Sequence, residues 1–290
     1  MLTANELKEK FTAGTRFLDG ATGSNLRLAG MPRGCCTEEW VLAHPEVLVQ
    51  LQRSYAAAGA QIVYAPTFQA QPIALKQVML DRQTETVNAH LVALSRSAAT
   101  DCLIAGDLTT LAAFCEAWDP ENFDLLVENY RVQIHALLEA GADLLVGETL
   151  LYPQEAEAIL TAADLEGAGA LMFTFTMQPD GTLFSGHNAA EVLRDLEEAG
   201  AAAVGFNCVS ADMMTPYLVA KLRRTLRGPL ICKPNAGMPV INAQGVAEYK
   251  MSEEEFAAVM ADCARSGATV LGGCCGTTPG HISAMVKALG

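Results

Sequence analysis

Short apolar runs alternate along the chain with longer stretches whose apolar residues recur every three to four positions. The runs are RFLDG (16–20), QIVYAPTF (61–68), CLIAGD (102–107), DLLVGET (143–149), ALMFTFT (170–176), AAVGFNC (202–208), PLICKPN (229–235) and ATVLGGCC (268–275). They are mostly continuous rather than alternating, the pattern of parallel strands covered on both faces. Helical periodicity fills 45–58, 84–100, 123–140, 154–165, 189–199, 214–227 and 252–266. Four of these stretches end in the same punctuation: Ala58-Gly59-Ala60, Ala140-Gly141-Ala142, Ala199-Gly200-Ala201 and Ser266-Gly267-Ala268. A glycine there suits the left-handed residue just past a helix end. Eight strand–helix units predict a single (β/α)8 TIM barrel over residues 1–290. A doubly wound sheet is the competing topology, disfavoured by the eight units and by the lack of a G-x-G-x-x-G after the first strand.

Composition narrows the function classes. The chain carries 19 Lys and Arg against 33 Asp and Glu, a formal charge of −14. Neutralising phosphates takes clustered cations, so nucleic acid is not an expected partner. The start, MLTANELKEKF, is polar and lacks both an apolar signal core and a cleavage site. No run of about 18 apolar residues follows. A cytoplasmic protein that does not enter a membrane is expected. Nine cysteines, an odd number, fit that compartment better than a disulfide framework. Cys102, Cys232 and Cys263 fall in apolar stretches and are expected to pack as small core residues.

Active sites of such barrels lie at the C-terminal ends of the strands. The polar residues ending the apolar runs are Asp19, Asp107, Glu148, Asn207 with Cys208, Lys233 with Asn235, and Cys274 with Cys275. Cys208, Cys274 and Cys275 form a candidate Zn²⁺ site with three thiolates and one open position, the mark of a catalytic zinc. Adjacent cysteines in a regular strand point to opposite faces. Both can face one metal only if the backbone kinks, which Gly272, Gly273 and Gly276 permit. Core cysteines or a redox-active vicinal pair are the alternatives. Asp19-Gly20-Ala21-Thr22-Gly23-Ser24 offers backbone N–H groups to an anion without being a Walker loop. Glu148 is a candidate ammonium holder. Lys233 is either ion-paired, solvated or a Schiff-base amine. The histidines form no ligand motif, and His281 is expected as a local cap or a solvated residue.

Together, LDGATGSNL (18–26), YAAAGAQIVYAPTF (55–68), GADLLVGET (141–149), GFNC (205–208), KPNAGMP (233–239) and GGCCGTTPGHI (272–282) resemble the zinc-dependent homocysteine S-methyltransferase family. The likeness is greatest to the homocysteine-binding module of cobalamin-dependent methionine synthase. It implies that Cys208, Cys274 and Cys275 bind zinc, and that Asp19 and Glu148 are the catalytic carboxylates. Homocysteine would be held by Asp19, Gly20, Ala21, Thr22, Gly23, Glu148, Asn207 and Asn235, the last two at motif positions close to the metal. The resemblance further implies methionine formation, with methylcobalamin on a separate corrinoid protein as donor, since the chain ends at Gly290 without the other modules of that enzyme. S-methylmethionine or S-adenosylmethionine is the alternative donor. Betaine is disfavoured, because Thr149-Leu150 follows Glu148 where betaine users carry a tyrosine. Cys35-Cys36 departs from the family pattern, in a loop expected over the barrel mouth; an inert role is expected, and a second metal contact or part of a different donor or acceptor pocket are the alternatives. The rivals from other classes are a Lys233 aldolase-type barrel and a non-catalytic zinc-binding protein.

Overall fold

The computed structural model describes residues 1–242 and 247–290. Its strands, in chain order, are β1 (Arg16–Phe17), β2 (Ile62–Tyr64), β3 (Leu103–Thr109), β4 (Leu144–Leu150), β5 (Leu171–Phe175), β6 (Ala203–Ser210), β7 (Leu230–Asn235), β8 (Val240–Ile241), β9 (Ala247–Glu248) and β10 (Val270–Leu271). Eight of them form one parallel sheet in the order β1-β10-β7-β6-β5-β4-β3-β2. The sheet closes on itself through a Leu18–Ile62 bridge, with Gln61 N–H donating to Phe17 O at 2.7 Å. β8 and β9 pair separately as a short antiparallel ribbon. The expected (β/α)8 barrel is the observed fold.

Continuous apolar runs become strands buried on both faces, as in β5 and β7, where every residue is buried. Outward-facing side chains pack under the helices. Inward-facing ones, among them Ile62, Ala105, Val146, Met172 and Ile231, fill the barrel interior. The helix ends follow their punctuation: Gly59, Gly141, Gly200 and Gly267 all have positive φ. Cys102, Cys232 and Cys263 are buried in the core as expected.

Three features differ from the expected elements. The polar start is a capped helix, Ala4–Thr12, whose Leu7 and Phe11 close the floor of the barrel. Two apolar residues four apart in a charged segment are too sparse a pattern to announce it. Short helices Gly23–Leu28 and Thr37–Ala43 follow β1 and, with Leu48 and Leu91, make a satellite core beside the mouth. The first and last barrel strands are shorter than their apolar runs, because the chain leaves the sheet at Asp19 and at Gly272 to build loops. Among the described residues, no helix is long and apolar enough to cross a membrane.

Candidate active site

The loops after β1 and β10, the two ends of the chain's motif series, are stitched together. Ala21 N–H donates to Thr277 Oγ1 at 3.1 Å, and Asn25 Nδ2 bridges Ala21 O and Thr277 O at 2.7 and 2.8 Å. Gly276 N–H donates to Ser24 Oγ at 3.1 Å. Gly276 has φ +80°, and Tyr249 packs where its Cβ would lie, so no other residue fits this turn without displacement. The turn brings both Cys274 and Cys275 to one side. Their sulfurs and that of Cys208, from the end of β6, lie within 4.8 Å of one another. No other group of three or more such ligands converges among the described residues. The Cys208 and Cys275 sulfurs are 3.9 Å apart. Hydrogen bonds from the Cys208 and Cys274 thiols pull Cys275 below the usual thiol range.

The three cysteines form one wall of a cavity of about 930 Å³ at the C-terminal end of the barrel. Asp19, Asp107, Glu148 and Lys233 line it as well, and all four are buried. Lys233 Nζ lies 2.9 Å from Glu148 Oε1, 4.0 Å from Asp19 Oδ1 and 4.7 Å from the centre of the Tyr64 ring. Burial opposes its charge, but Glu148 and the other anionic groups around it hold it well above the usual lysine range. A Schiff-base amine needs a free lone pair, so this ion pair counts against the aldolase-type barrel. Nor is Lys233 solvated. Burial raises Asp19 to about 7 against the pull of Lys233. Burial, and after it the neighbouring Glu148 charge, push Asp107 well above the usual carboxylate range. Asp19 Oδ1 and Asp107 Oδ1 are buried without hydrogen-bond partners. Asp19 and Glu148 flank the one buried ammonium, that of Lys233.

Gly20, Ala21, Thr22 and Gly23 line the same cavity, although the Ala21 N–H is already engaged by Thr277. Asn207 and Asn235 do not line it; both are buried beneath it. Cys35 and Cys36 stay apart from the sulfur trio, their thiols meeting Pro32 O and Glu38 Oε2 at 3.1 and 3.3 Å. Burial and the neighbouring Glu38 push Cys36 up to about 12, which keeps it an unreactive thiol. His281 is a cap, its Nδ1 facing the Thr278 N–H and hydroxyl, but it is buried rather than solvated.

Tyr249 and Glu38 line the cavity and escaped the sequence reading. Tyr249 follows the β8–β9 ribbon and hydrogen-bonds to the Cys275 sulfur, and no periodic element announces that segment. Glu38 is 1% exposed and accepts Gln69 N–H at 2.7 Å; its helix is only seven residues long. Asp107 was visible as a strand-end acid, but nothing local distinguished it from a solvated one.

A family model described as homocysteine S-methyltransferase matches residues 16–289. Methionine synthase of Mycobacterium tuberculosis is 28% identical over 93% of this chain, which spans 24% of that protein's length. Among solved structures, the metallated form of the homocysteine methyltransferase MmuM from Escherichia coli superposes with TM-score 0.80 at 26% identity, covering 94% of this chain and 95% of that one. Its oxidised form matches with the same TM-score and coverage at 25% identity.

Proposed function

Because the chain belongs to the homocysteine S-methyltransferase family, we propose that it transfers a methyl group to the sulfur of homocysteine, forming methionine, with zinc held by Cys208, Cys274 and Cys275. The observation that carries this reading is one cavity with a sulfur trio on one wall and a buried carboxylate cluster around Lys233 on another. A tetrahedral zinc with Zn–S bonds of about 2.3 Å separates its sulfurs by about 3.8 Å. The 3.9 Å between Cys208 and Cys275 fits that spacing. A metallated form of the E. coli relative adds support.

A free alkyl thiol, with a pKa near ~8.5, is only a few per cent thiolate at neutral pH. Bound zinc supplies the Lewis acidity that makes a thiol ligand anionic at that pH. The chain's own residues supply position. Asp19 and Glu148 attract the α-ammonium of the amino acid, meeting the orphaned Asp19 oxygen. Lys233 keeps the carboxylates in place by balancing part of their charge. The Gly20–Gly23 loop receives the carboxylate. In the transfer itself, a sulfur–methyl bond forms as the methyl–donor bond breaks, and the electron pair leaves with the donor. Alignment is then the main requirement, which a rigid barrel rim meets.

The donor we assign is a methylcorrinoid carried by a separate protein. The likeness to methionine synthase supports it, and so do exposed apolar side chains in the segments that follow two barrel strands. Met213 and Met214 follow β6, Met238, Val240 and Ile241 follow β7, and all five side chains are exposed, Met213 at 93%. Adaptable, exposed methionines in loops at the C-terminal ends of barrel strands suit a protein partner. The second reading is a small sulfonium donor, S-methylmethionine or S-adenosylmethionine. The near end-to-end match to the single-barrel E. coli enzyme and the acidic Glu38 in the cavity favour it.

The test is methionine formation from homocysteine with methylcobalamin, S-methylmethionine or S-adenosylmethionine, comparing zinc-loaded and chelated protein. Zinc-dependent product from methylcobalamin supports the first reading, and product from a sulfonium alone supports the second. Bound zinc with no product from any donor would leave a zinc-binding protein without this activity.

A further inference from the structure

Two strands of the barrel contain a one-residue irregularity beside the cavity. Between Gly147 and Leu150, β4 advances three residues while β5 advances two, and β6 does the same against β7 between Asn207 and Ser210. Each bulge holds a non-glycine residue in left-handed conformation: Thr149 at φ 60° and Cys208 at φ 57°. Such a φ is strained for a side chain, most of all for a β-branched one, and surrounding groups must hold it. Bulges of this kind re-aim side chains next to active sites.

One side chain ties the two bulges together. Asn207 is fully buried and directly precedes Cys208. Its Oδ1 accepts the Thr149 N–H at 3.1 Å. Its Nδ2 donates to Thr149 Oγ1 at 2.6 Å and to Cys274 Sγ at 3.7 Å. The carbonyl oxygen and both amide hydrogens are thus used. A carboxylate would keep both contacts to Thr149, accepting from its N–H and its hydroxyl, and lose the donor to Cys274; an aliphatic side chain would lose all three. Thr149 follows Glu148, and Cys274 is one of the three clustered cysteines.

We propose that Asn207 is a positioning residue that joins the amino-acid pocket to the metal site, a role that rests on the zinc reading above. By gripping both polar ends of Thr149 it holds the turn that aims Glu148 into the pocket. By donating to Cys274 it orients that sulfur. Zinc and homocysteine then bind cooperatively through one amide, and each strengthens the other by the same factor. This differs from the direct substrate contact expected of Asn207 from the sequence.

The experiment compares the wild type with Asn207→Asp, Asn207→Ala and the double variant Asn207→Ala/Thr149→Gly. Zinc affinity is read by competition with a chromophoric chelator, homocysteine affinity by calorimetry on zinc-saturated protein, and the sulfur environment by thiolate-to-metal absorption of the Co²⁺ form. Asn207→Asp is expected to weaken zinc binding roughly 10–100-fold, the usual effect of losing a partner of a metal ligand, and to shift the Co²⁺ absorption. Asn207→Ala should weaken both ligands. Adding Thr149→Gly should restore most of the homocysteine affinity, because glycine adopts that φ without strain. It should not restore zinc affinity, because Cys274 still lacks its donor. That split is one a merely structural asparagine would not produce.

The proposal is overturned if Asn207→Asp and Asn207→Ala bind both ligands as tightly as the wild type, or if the double variant recovers both affinities together or neither. A wild-type chain that binds no zinc would overturn the zinc reading and the proposal with it, which separates that failure from failure of the clamp alone.

Discussion

At the scale of single residues, the site is governed by buried charge. Asp19, raised to about 7, attracts an ammonium only when ionised. Affinity for an amino acid should therefore rise as pH climbs from 6 to 8. Methionine is the suitable probe because its side chain does not titrate; calorimetry should show tighter binding at pH 8, and Asp19→Asn should flatten the profile. Lys233 is the counterweight. Replacing it in Lys233→Met strands Glu148 and Asp19 as buried charges, a loss on the order of 3–5 kcal/mol at pH 8. The remaining carboxyls can take up protons at lower pH, where the folded variant holds more protons than the unfolded chain. Stability of the variant thus falls as pH rises, and urea unfolding should show a smaller deficit at pH 5.5 than at pH 8. An equal deficit at both would mean that Lys233 contributes packing rather than charge. Cys208→Ser removes one sulfur of the trio, and elemental analysis of the purified variant should find it depleted in zinc relative to the wild type.

At the scale of elements, the repeated helix–glycine–strand joint is the device that builds the barrel. Gly141 has φ 78° with open space around a would-be Cβ, whereas at Gly59, φ 103°, that atom would sit 2.9 Å from Val286 Cγ1 of the last helix. Gly141→Ala should cost roughly 1–2 kcal/mol for the left-handed backbone alone. Gly59→Ala should cost more, because steric conflict adds to the same strain; urea unfolding of the pair checks the order. The N-terminal helix Ala4–Thr12 is a second such element, with Leu7 fully buried under the barrel interior. Leu7→Ala should destabilise by about 2–5 kcal/mol through lost burial and a residual cavity. Were its effect within experimental error of wild type, the helix would be an appendage rather than the barrel floor.

At the scale of the whole molecule, the barrel is closed by strand pairing and packed on both sides of the sheet, independently of the sulfur trio. Removing metal with a chelator should abolish zinc-dependent methyl transfer while leaving far-ultraviolet circular dichroism and the unfolding midpoint close to those of a folded barrel. Collapse of the dichroism on chelation would instead make the metal structural. The barrel's strand and helix order was legible in the chain because periodicity and the helix-end glycines are local: 45–58, 84–100 and 123–140 became helices Pro45–Ala57, Thr84–Ala98 and Phe123–Glu139. Ala4–Thr12 and the β8–β9 ribbon were not legible, since neither carries a repeating apolar face. The cysteines, Asp19 and Glu148 could be picked out because they end apolar runs at the rim where barrel chemistry gathers. The sequence by itself determined which residues reach that rim. Only the tertiary structure decided their protonation, their partners and their strain, because these depend on contacts between residues far apart in the chain. Lys233 meets Glu148 across 85 positions, and Asn207 meets Cys274 across 67. Burial of charge and the aim of a side chain belong to that assembled neighbourhood.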